Sequence, residues 1–114
     1  MRLVLSFLLA VCAALPALAH HGWGSYDADN PMTIEGIIET VTLQNPHGEM
    51  IVPHEGQPWL ITLAPLSRMN ARGATQDIVQ AGTKVIAYGY PKRDGSAEIR
   101  AEWIEVDGRQ FQLR

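Results

Sequence analysis

The fold predicted from this sequence depends most on the stretch Thr33–His47, TIEGIIETVTLQNPH. Most of its residues are β-branched or apolar, a composition that favours a pleated, half-buried strand. Ile34 and Ile38 share one parity along the stretch, whereas Val41 and Leu43 share the other. Because side chains alternate between the two faces of a strand, this change of parity predicts an extra residue, a β-bulge, between the two pairs.

The bulge is expected near Glu39 and Thr40. A long, bent first strand that contains Gly36 suits a small barrel, in which one strand belongs to both halves of a curved sheet. The stretch ends in the turn Asn45-Pro46-His47, which stops the strand and presents a histidine.

The remaining elements follow from alternation and turn composition. The predicted strands are Glu49–Val52, Trp59–Ala64, Lys84–Tyr90 and Glu98–Val106. A short helix is predicted over Pro65–Arg72, where Leu66 and Met69 have helical spacing and Gly73 follows. The sequence therefore predicts an all-β fold with one short helix, a five-stranded OB-fold-like barrel over residues 33–114. A meander packed on one helix is the alternative. The predicted core comprises Ile34, Ile38, Val41, Trp59, Ile61, Leu63, Val85 and Ile104.

Residues 1–19 have the features of a cleaved signal peptide. Arg2 precedes the apolar run Leu3–Leu15, and Ala17-Leu18-Ala19 is a small-x-small cleavage site. Pro16 interrupts a run that is short for a membrane span. We therefore expect an exported protein, periplasmic or secreted, with no stable membrane insertion after cleavage.

A lipid anchor on Cys12 is the other possibility for this segment, and the bulky Val11 before the cysteine argues against it. Cleavage after Ala19 would leave 95 residues, one small domain without cysteine. Since Arg2 would leave with the signal, the net charge would fall by one from the −3 of the full chain. A negative charge disfavours nucleic acid as a partner, because binding there is driven by Lys and Arg that neutralise phosphates.

Cleavage at this position makes His20 the N-terminal residue and places it on an irregular arm, residues 20–32. An N-terminal histidine offers its α-amine and its imidazole to one metal ion, a chelate that favours copper(II). His21 could instead combine with the amine and the intervening backbone nitrogen. An exposed polar arm without a metal is the plain alternative. Trp23 and Tyr26 are expected to pin the arm to the barrel.

His47 lies where barrel loops gather and could supply a further imidazole. The alternative is a structural role, in which Asn45 holds the turn and the His47 imidazole is hydrogen-bonded to Asn45. His54 lies seven positions later, faces the other way on an uninterrupted strand and is left out of the predicted site. Tyr26 and Asp27 could orient an imidazole, although such a pair more often fixes a loop. The methionines of separate elements are expected to fill the core: Met32, Met50 and Met69.

A family resemblance rests on motifs spread over the whole mature chain. They are His20-His21, Tyr26-Asp27, Pro31, the TIEG strand start, Asn45-Pro46-His47 and Gly89-Tyr90-Pro91. The chain resembles a family of small exported bacterial proteins catalogued as domain of unknown function 6152. The resemblance implies a secreted or periplasmic small β-protein and brings no established activity. Similar proteins usually have a bulky residue after the NPH turn, where this chain has Gly48, so a looser following strand is expected.

Three hypotheses about function follow. The first is a small exported protein that binds a transition metal, copper preferred, through His20, His21 and His47. The second is an OB-fold binding or adaptor module that holds a peptide, glycan or small ligand on loops and aromatics such as Trp23, Tyr88 and Tyr90. The third, an oxidative copper enzyme, is disfavoured because 95 residues scarcely provide a shaped substrate surface. No nucleophile elbow, phosphate loop or cysteine cluster supports other catalysis.

Overall fold

The stretch that opens the predicted barrel forms two strands with a break between them. The structure, a computed structural model, describes residues 23–114, and the predicted signal peptide, His20 and His21 lie outside these residues. The elements are a 3-10 turn at Trp23–Ser25, β1 (Met32–Ile37), β2 (Thr40–Thr42), β3 (Glu49–His54), β4 (Gln57–Thr62), α1 (Leu66–Ala71), β5 (Lys84–Pro91), β6 (Glu98–Val106) and β7 (Arg109–Gln112).

The break between β1 and β2 confirms the bend that the change of parity predicts. β1 pairs with β5, whereas β2 pairs with β3, so the two halves belong to different parts of the sheet. Between them, the Ile38 amide donates to Thr83 at 2.9 Å and the Glu39 amide donates to Ile51 at 2.8 Å. The polypeptide thus changes partners within two residues while Ile38 stays buried.

The hydrogen-bonded order is β1-β5-β6-β4-β3-β2, with β7 added to β6. Neighbouring strands are antiparallel except β4 and β6, which are parallel. At Gly36, β1 approaches β3 so closely that a Cβ would lie 2.8 Å from Val52 Cγ1 and 2.9 Å from the Pro53 carbonyl oxygen. The all-β class with one short helix is confirmed. The sheet has seven strands instead of the predicted five, because the first predicted strand is divided into β1 and β2 and β7 is added at the end. It is not closed by hydrogen bonds, so the OB-fold-like barrel stays a prediction.

Several strand bounds differ from the sequence-based expectation, most clearly around the β3–β4 hairpin and after β6. β3 continues through Pro53 to His54, because β2 pairs only with its first half and leaves the rest as an edge that tolerates proline. The hairpin turn is therefore only Glu55-Gly56, with φ of 49° and 78°. The predicted tail after Gly108 is instead the strand β7, which pairs with the end of β6.

The core is formed by buried side chains of the strands together with Met69 of α1. Six of the eight predicted core residues are buried: Ile34, Ile38, Ile61, Leu63, Val85 and Ile104. Val41 and Trp59 are only partly buried and pack against this core. Met50 and Met69 are fully buried, as expected of core-filling residues, whereas Met32 is only partly buried and packs against the core. Within residues 23–114, no helix combines the length and the apolar composition needed to cross a membrane.

Candidate functional site

The turn that carries His47 is fixed on both sides by hydrogen bonds. Asn45 Oδ1 accepts a hydrogen bond from the Leu66 amide at 3.0 Å, which ties the turn to the start of α1. On the other side, the Gly48 amide donates to Ala64 at 2.9 Å, and Leu63 donates to the Gly48 carbonyl at 2.8 Å. The loosening expected at Gly48 is therefore not observed: Gly48 is buried and hydrogen-bonded through both of its backbone groups.

The His47 imidazole is partly shielded and has an unsatisfied nitrogen. Its Nδ1 is buried and makes no hydrogen bond. The nearest carboxylate oxygen, Glu49 Oε1, lies 3.9 Å away, too far for a hydrogen bond. The expected hydrogen bond to Asn45 is replaced by the bond from Asn45 to Leu66. Buried polar nitrogens are normally paired, so this one lacks the partner that most of them have.

The N-terminal arm packs against β5 and β6, as predicted for Trp23 and Tyr26. Two guanidinium groups lie over the Trp23 ring: Arg100 Cζ is 4.2 Å and Arg114 Cζ 3.5 Å from the ring centroid. The Tyr26 hydroxyl donates to the Glu98 carboxylate. The arm backbone is also held, because the Asp27 amide donates to the Pro91 carbonyl at 2.8 Å.

Tyr26 and Asp27 form hydrogen bonds with other residues and do not orient either of the two described imidazoles, those of His47 and His54. Asp27 accepts from Asn30 Nδ2 at 2.8 Å and from the Asp29 amide at 3.1 Å. The hydrogen bond from Asn30 holds the pKa of Asp27 below its usual range. Burial, with the Glu98 carboxylate, raises the pKa of Tyr26 to about 12. Both residues thus fix the arm in place.

The register of the sheet shows how many strands separate the arm from the strand that follows His47. Glu49 on β3, Thr62 on β4 and Arg100 on β6 are lateral neighbours in one row. Since adjacent strands lie about 4.8 Å apart, Glu49 and Arg100 are separated by roughly 10 Å. Trp23 lies over Arg100. The arm, which contacts Arg100, therefore lies two strands away from Glu49, which follows His47 by two residues.

Of the three predicted metal ligands, the structure places only His47, since His20 and His21 lie outside the described range. Within residues 23–114, no three His, Cys, Asp or Glu side chains form a group that could hold a metal ion. His54 lies at the far end of β3, roughly 20 Å from His47 at the rise of a strand.

A strip of aromatic rings runs beside the arm on the same side of β5 and β6. Trp23 and Tyr90 meet edge to face with centroids 5.9 Å apart, and Tyr90 and Tyr88 do so at 6.3 Å. Tyr88 then stacks on Trp103 at 5.4 Å. We call these four rings the aromatic strip. Trp103 is the member that sequence reasoning missed, although its place on the predicted last strand could have suggested it.

The arginines around Trp23 were also missed by sequence reasoning. Alternation in EIRAEW places Arg100 between acidic residues, which resembles an ordinary solvated face. In the structure the arm covers this face, and Arg100 is only partly exposed. No sequence signal identifies Arg114, whose contact with Trp23 joins opposite ends of the described chain.

Comparison with known proteins identifies the family. The model described as "Family of unknown function (DUF6152)" matches residues 8–100, and the chain belongs to that family. This confirms the resemblance drawn from the His pair and the NPH turn. A comparison with curated proteins finds no match for the chain.

Proposed function

We propose that this protein is an exported small binding protein that holds copper(II) through the processed N-terminal His20 and through His47, with His21 as a further ligand. Export rests on the apolar run and the Ala17-Leu18-Ala19 site of the sequence. Cleavage there creates the amine that the site requires.

The observation that carries the proposal is the unpaired Nδ1 of His47. It is shielded from solvent, and it belongs to a turn that is fixed by Asn45 and Gly48. A fixed imidazole loses little conformational freedom on binding a metal, which favours affinity. The nearby Glu49 carboxylate adds negative charge, which favours a divalent cation.

The arm supplies the second supporting observation. Trp23 and Tyr26 hold the arm against β5 and β6, which limits where the preceding residues can lie. Arg100, which the arm contacts, and Glu49 lie two strands apart in one row of the sheet. The donor set of one amine and two or three imidazoles suits copper(II), which gains most among first-row divalent ions from nitrogen ligands.

The experiment compares two histidine variants of processed protein that begins at His20. Copper(II) is titrated by calorimetry into the wild type, His47→Ala and His54→Ala. We expect His47→Ala to weaken binding about tenfold or more, because an imidazole ligand is lost. His54→Ala is the matched control and should leave the affinity unchanged. Equal affinity of the wild type and His47→Ala would contradict the assignment of His47.

His20→Ala tests the N-terminal chelate separately. It keeps the amine but removes the imidazole of the same residue, so most of the affinity should be lost. Paramagnetic resonance of the copper complex provides a second readout, because nitrogen couplings report the number of bound imidazoles. Turnover with a reductant and oxygen would identify the copper enzyme instead of a binding protein.

A non-metal binding module is the second candidate, and the aromatic strip favours it. Four neighbouring rings beside polar groups can hold an apolar or planar ligand. Titration of soluble oligosaccharides and unstructured peptides, followed by nuclear magnetic resonance, tests this function. Saturable shifts at Tyr88 and Trp103 without copper binding would select the module.

A further inference from the structure

Three arginines from distant parts of the sequence form a cluster beside the arm. Arg68 belongs to α1, Arg100 to β6, and Arg114 follows β7. The guanidinium groups of Arg100 and Arg114 both lie over the Trp23 ring, and Arg68 reaches the Leu113 carbonyl, next to Arg114. We call Arg68, Arg100 and Arg114 the arginine cluster.

The cluster has few acceptors among the described residues. Arg114 donates to the Ala101 carbonyl at 3.2 Å, and Arg68 reaches the Leu113 carbonyl at 3.5 Å. Arg100 donates no hydrogen bond to any residue in the range 23–114, although its guanidinium carries five N–H groups. The Nε atoms of Arg100 and Arg114 are both buried and unpaired.

Carboxylates do not neutralise the cluster within residues 23–114. No Asp or Glu oxygen lies within ion-pair distance of its three guanidinium groups. Glu102 is the carboxylate that acts on Arg114 at longer range. Glu98 is engaged by Tyr26 and Thr62, and its other oxygen lies 3.9 Å from Lys92.

Burial makes this excess of positive charge unfavourable unless an anion joins it. Burial, followed by the charge of Arg100, lowers the pKa of Arg114 to about 10, and burial also lowers the pKa of Arg100. Partly buried guanidinium groups without acceptors are normally paired with carboxylate or phosphate oxygens. Convergent arginines are typical of oxyanion recognition because each presents a rigid fork of donors.

We propose that the arginine cluster, with Trp23 in contact with two of its members, binds a small tetrahedral oxyanion of the phosphate or sulfate type. The oxyanion accepts hydrogen bonds from the free guanidinium N–H groups and neutralises charge that the protein leaves uncompensated. This site is independent of the copper proposal, since it uses no histidine.

The experiment titrates inorganic phosphate into the processed protein in a buffer without other oxyanions. The indole N–H resonance of Trp23 is followed, because this ring contacts two of the three arginines. We expect a saturable shift with a Kd below about 1 mM. Sulfate should produce the same shift, and acetate should bind more weakly. Tighter binding of acetate would overturn the assignment to a tetrahedral anion.

Matched variants separate this site from general attraction to positive charge. Arg100→Gln and Arg114→Gln should each weaken phosphate binding about tenfold or more, since each removes charge-assisted hydrogen bonds. Arg109→Gln is the control: Arg109 also stacks on an aromatic ring, that of Phe111 at 4.9 Å, but lies outside the cluster. Arg100→Lys keeps the charge without the fork and should bind with intermediate affinity.

Three results would overturn the proposal. One is the absence of a saturable shift at phosphate concentrations well above 1 mM. Another is equal weakening by Arg109→Gln and Arg100→Gln, which would show non-specific attraction. The third is unchanged binding in both Arg100→Gln and Arg114→Gln. Thermal melts of each variant establish that it is folded, and the two substitutions provide independent tests if one of them destabilises the protein.

Discussion

The Tyr26 hydroxyl donates a hydrogen bond to the carboxylate of Glu98, which joins the N-terminal arm to the first residue of β6. Thr62 Oγ1 donates to the same carboxylate oxygen at 3.3 Å. Tyr26 itself is 6% exposed. The arm from Trp23 onward is therefore part of the packed structure.

Removal of the Tyr26 hydroxyl should destabilise the protein. Tyr26→Phe leaves the partly buried Glu98 carboxylate with only Thr62 and Lys92 nearby, and hydrogen bonds to charged groups are worth about 1.5–3 kcal/mol. We expect the free energy of unfolding in urea to fall by about that amount. Tyr88→Phe is the control, because the Tyr88 hydroxyl makes no hydrogen bond within residues 23–114. Equal stability of Tyr26→Phe and the wild type would show that the bond contributes nothing.

Stability should also decrease at alkaline pH because of Tyr26. Its pKa is about 12 in the folded protein, and the pKa of tyrosine in an unfolded chain is about 10. Between these values the unfolded chain has lost the proton and the folded protein has kept it. The contribution is therefore complete below pH 10 and is lost as the pH rises to about 12. Urea unfolding from pH 9 to 12 should show a steeper fall for the wild type than for Tyr26→Phe; parallel curves would contradict it.

Asn45 should stabilise the start of α1. Asn45→Ala removes the side-chain acceptor of the Leu66 amide, a contact equivalent to a helix cap, which is worth about 0.5–2 kcal/mol. Asn70→Ala is the control, since Asn70 is exposed on the same helix and its side chain makes no hydrogen bond within the described part of the chain. Thermal unfolding should separate the two variants. If both have the same melting temperature, the contact between the NPH turn and the helix is unimportant.

Gly89 should tolerate no side chain. A Cβ at this position would lie 2.2 Å from the carbonyl oxygen of Arg100, so the β5–β6 pairing would have to shift. We expect Gly89→Ala to lower the free energy of unfolding by about 1–3 kcal/mol or more. Gly95→Ala provides the comparison, because nothing lies within 4 Å of a Cβ there and only its φ of 82° is unfavourable. A Gly95→Ala variant as unstable as Gly89→Ala would show that backbone conformation, not the close approach, determines the effect.

The strands were predictable because their signal is local. The alternation within Thr33–His47 and the change of parity near Glu39 depend on neighbouring residues, and both the strands and their break are observed. β7 was not predictable, since Arg109–Gln112 contains one buried apolar residue, Phe111, among polar ones. Its pairing depends on the length of β6, which extends past the end of β4.

The candidate sites were predictable only in part, because their contacts join distant positions. The NPH turn was expected, but the partner of Asn45 is Leu66, which no local pattern connects to it. The contact between Trp23 and Arg114 spans nearly the whole described chain. Charge alternation in the last predicted strand suggested a solvated surface, and only the position of the arm makes Arg100 partly buried.

The most direct test of the copper proposal is a titration of copper(II) into two forms of the protein. One begins at His20 with a free amine, and the other has that amine acetylated, which removes the amine chelate while leaving every histidine in place. We predict a Kd below about 1 μM for the first form and binding about tenfold weaker or more for the second. Affinity of the first form should also fall steeply toward about pH 5, because a free amine and imidazole, with reference pKa values of about 7.7–8.0 and 6.5, must lose protons to bind. Equal affinities of the two forms, or no binding tighter than micromolar by the form that begins at His20, would contradict the proposed function.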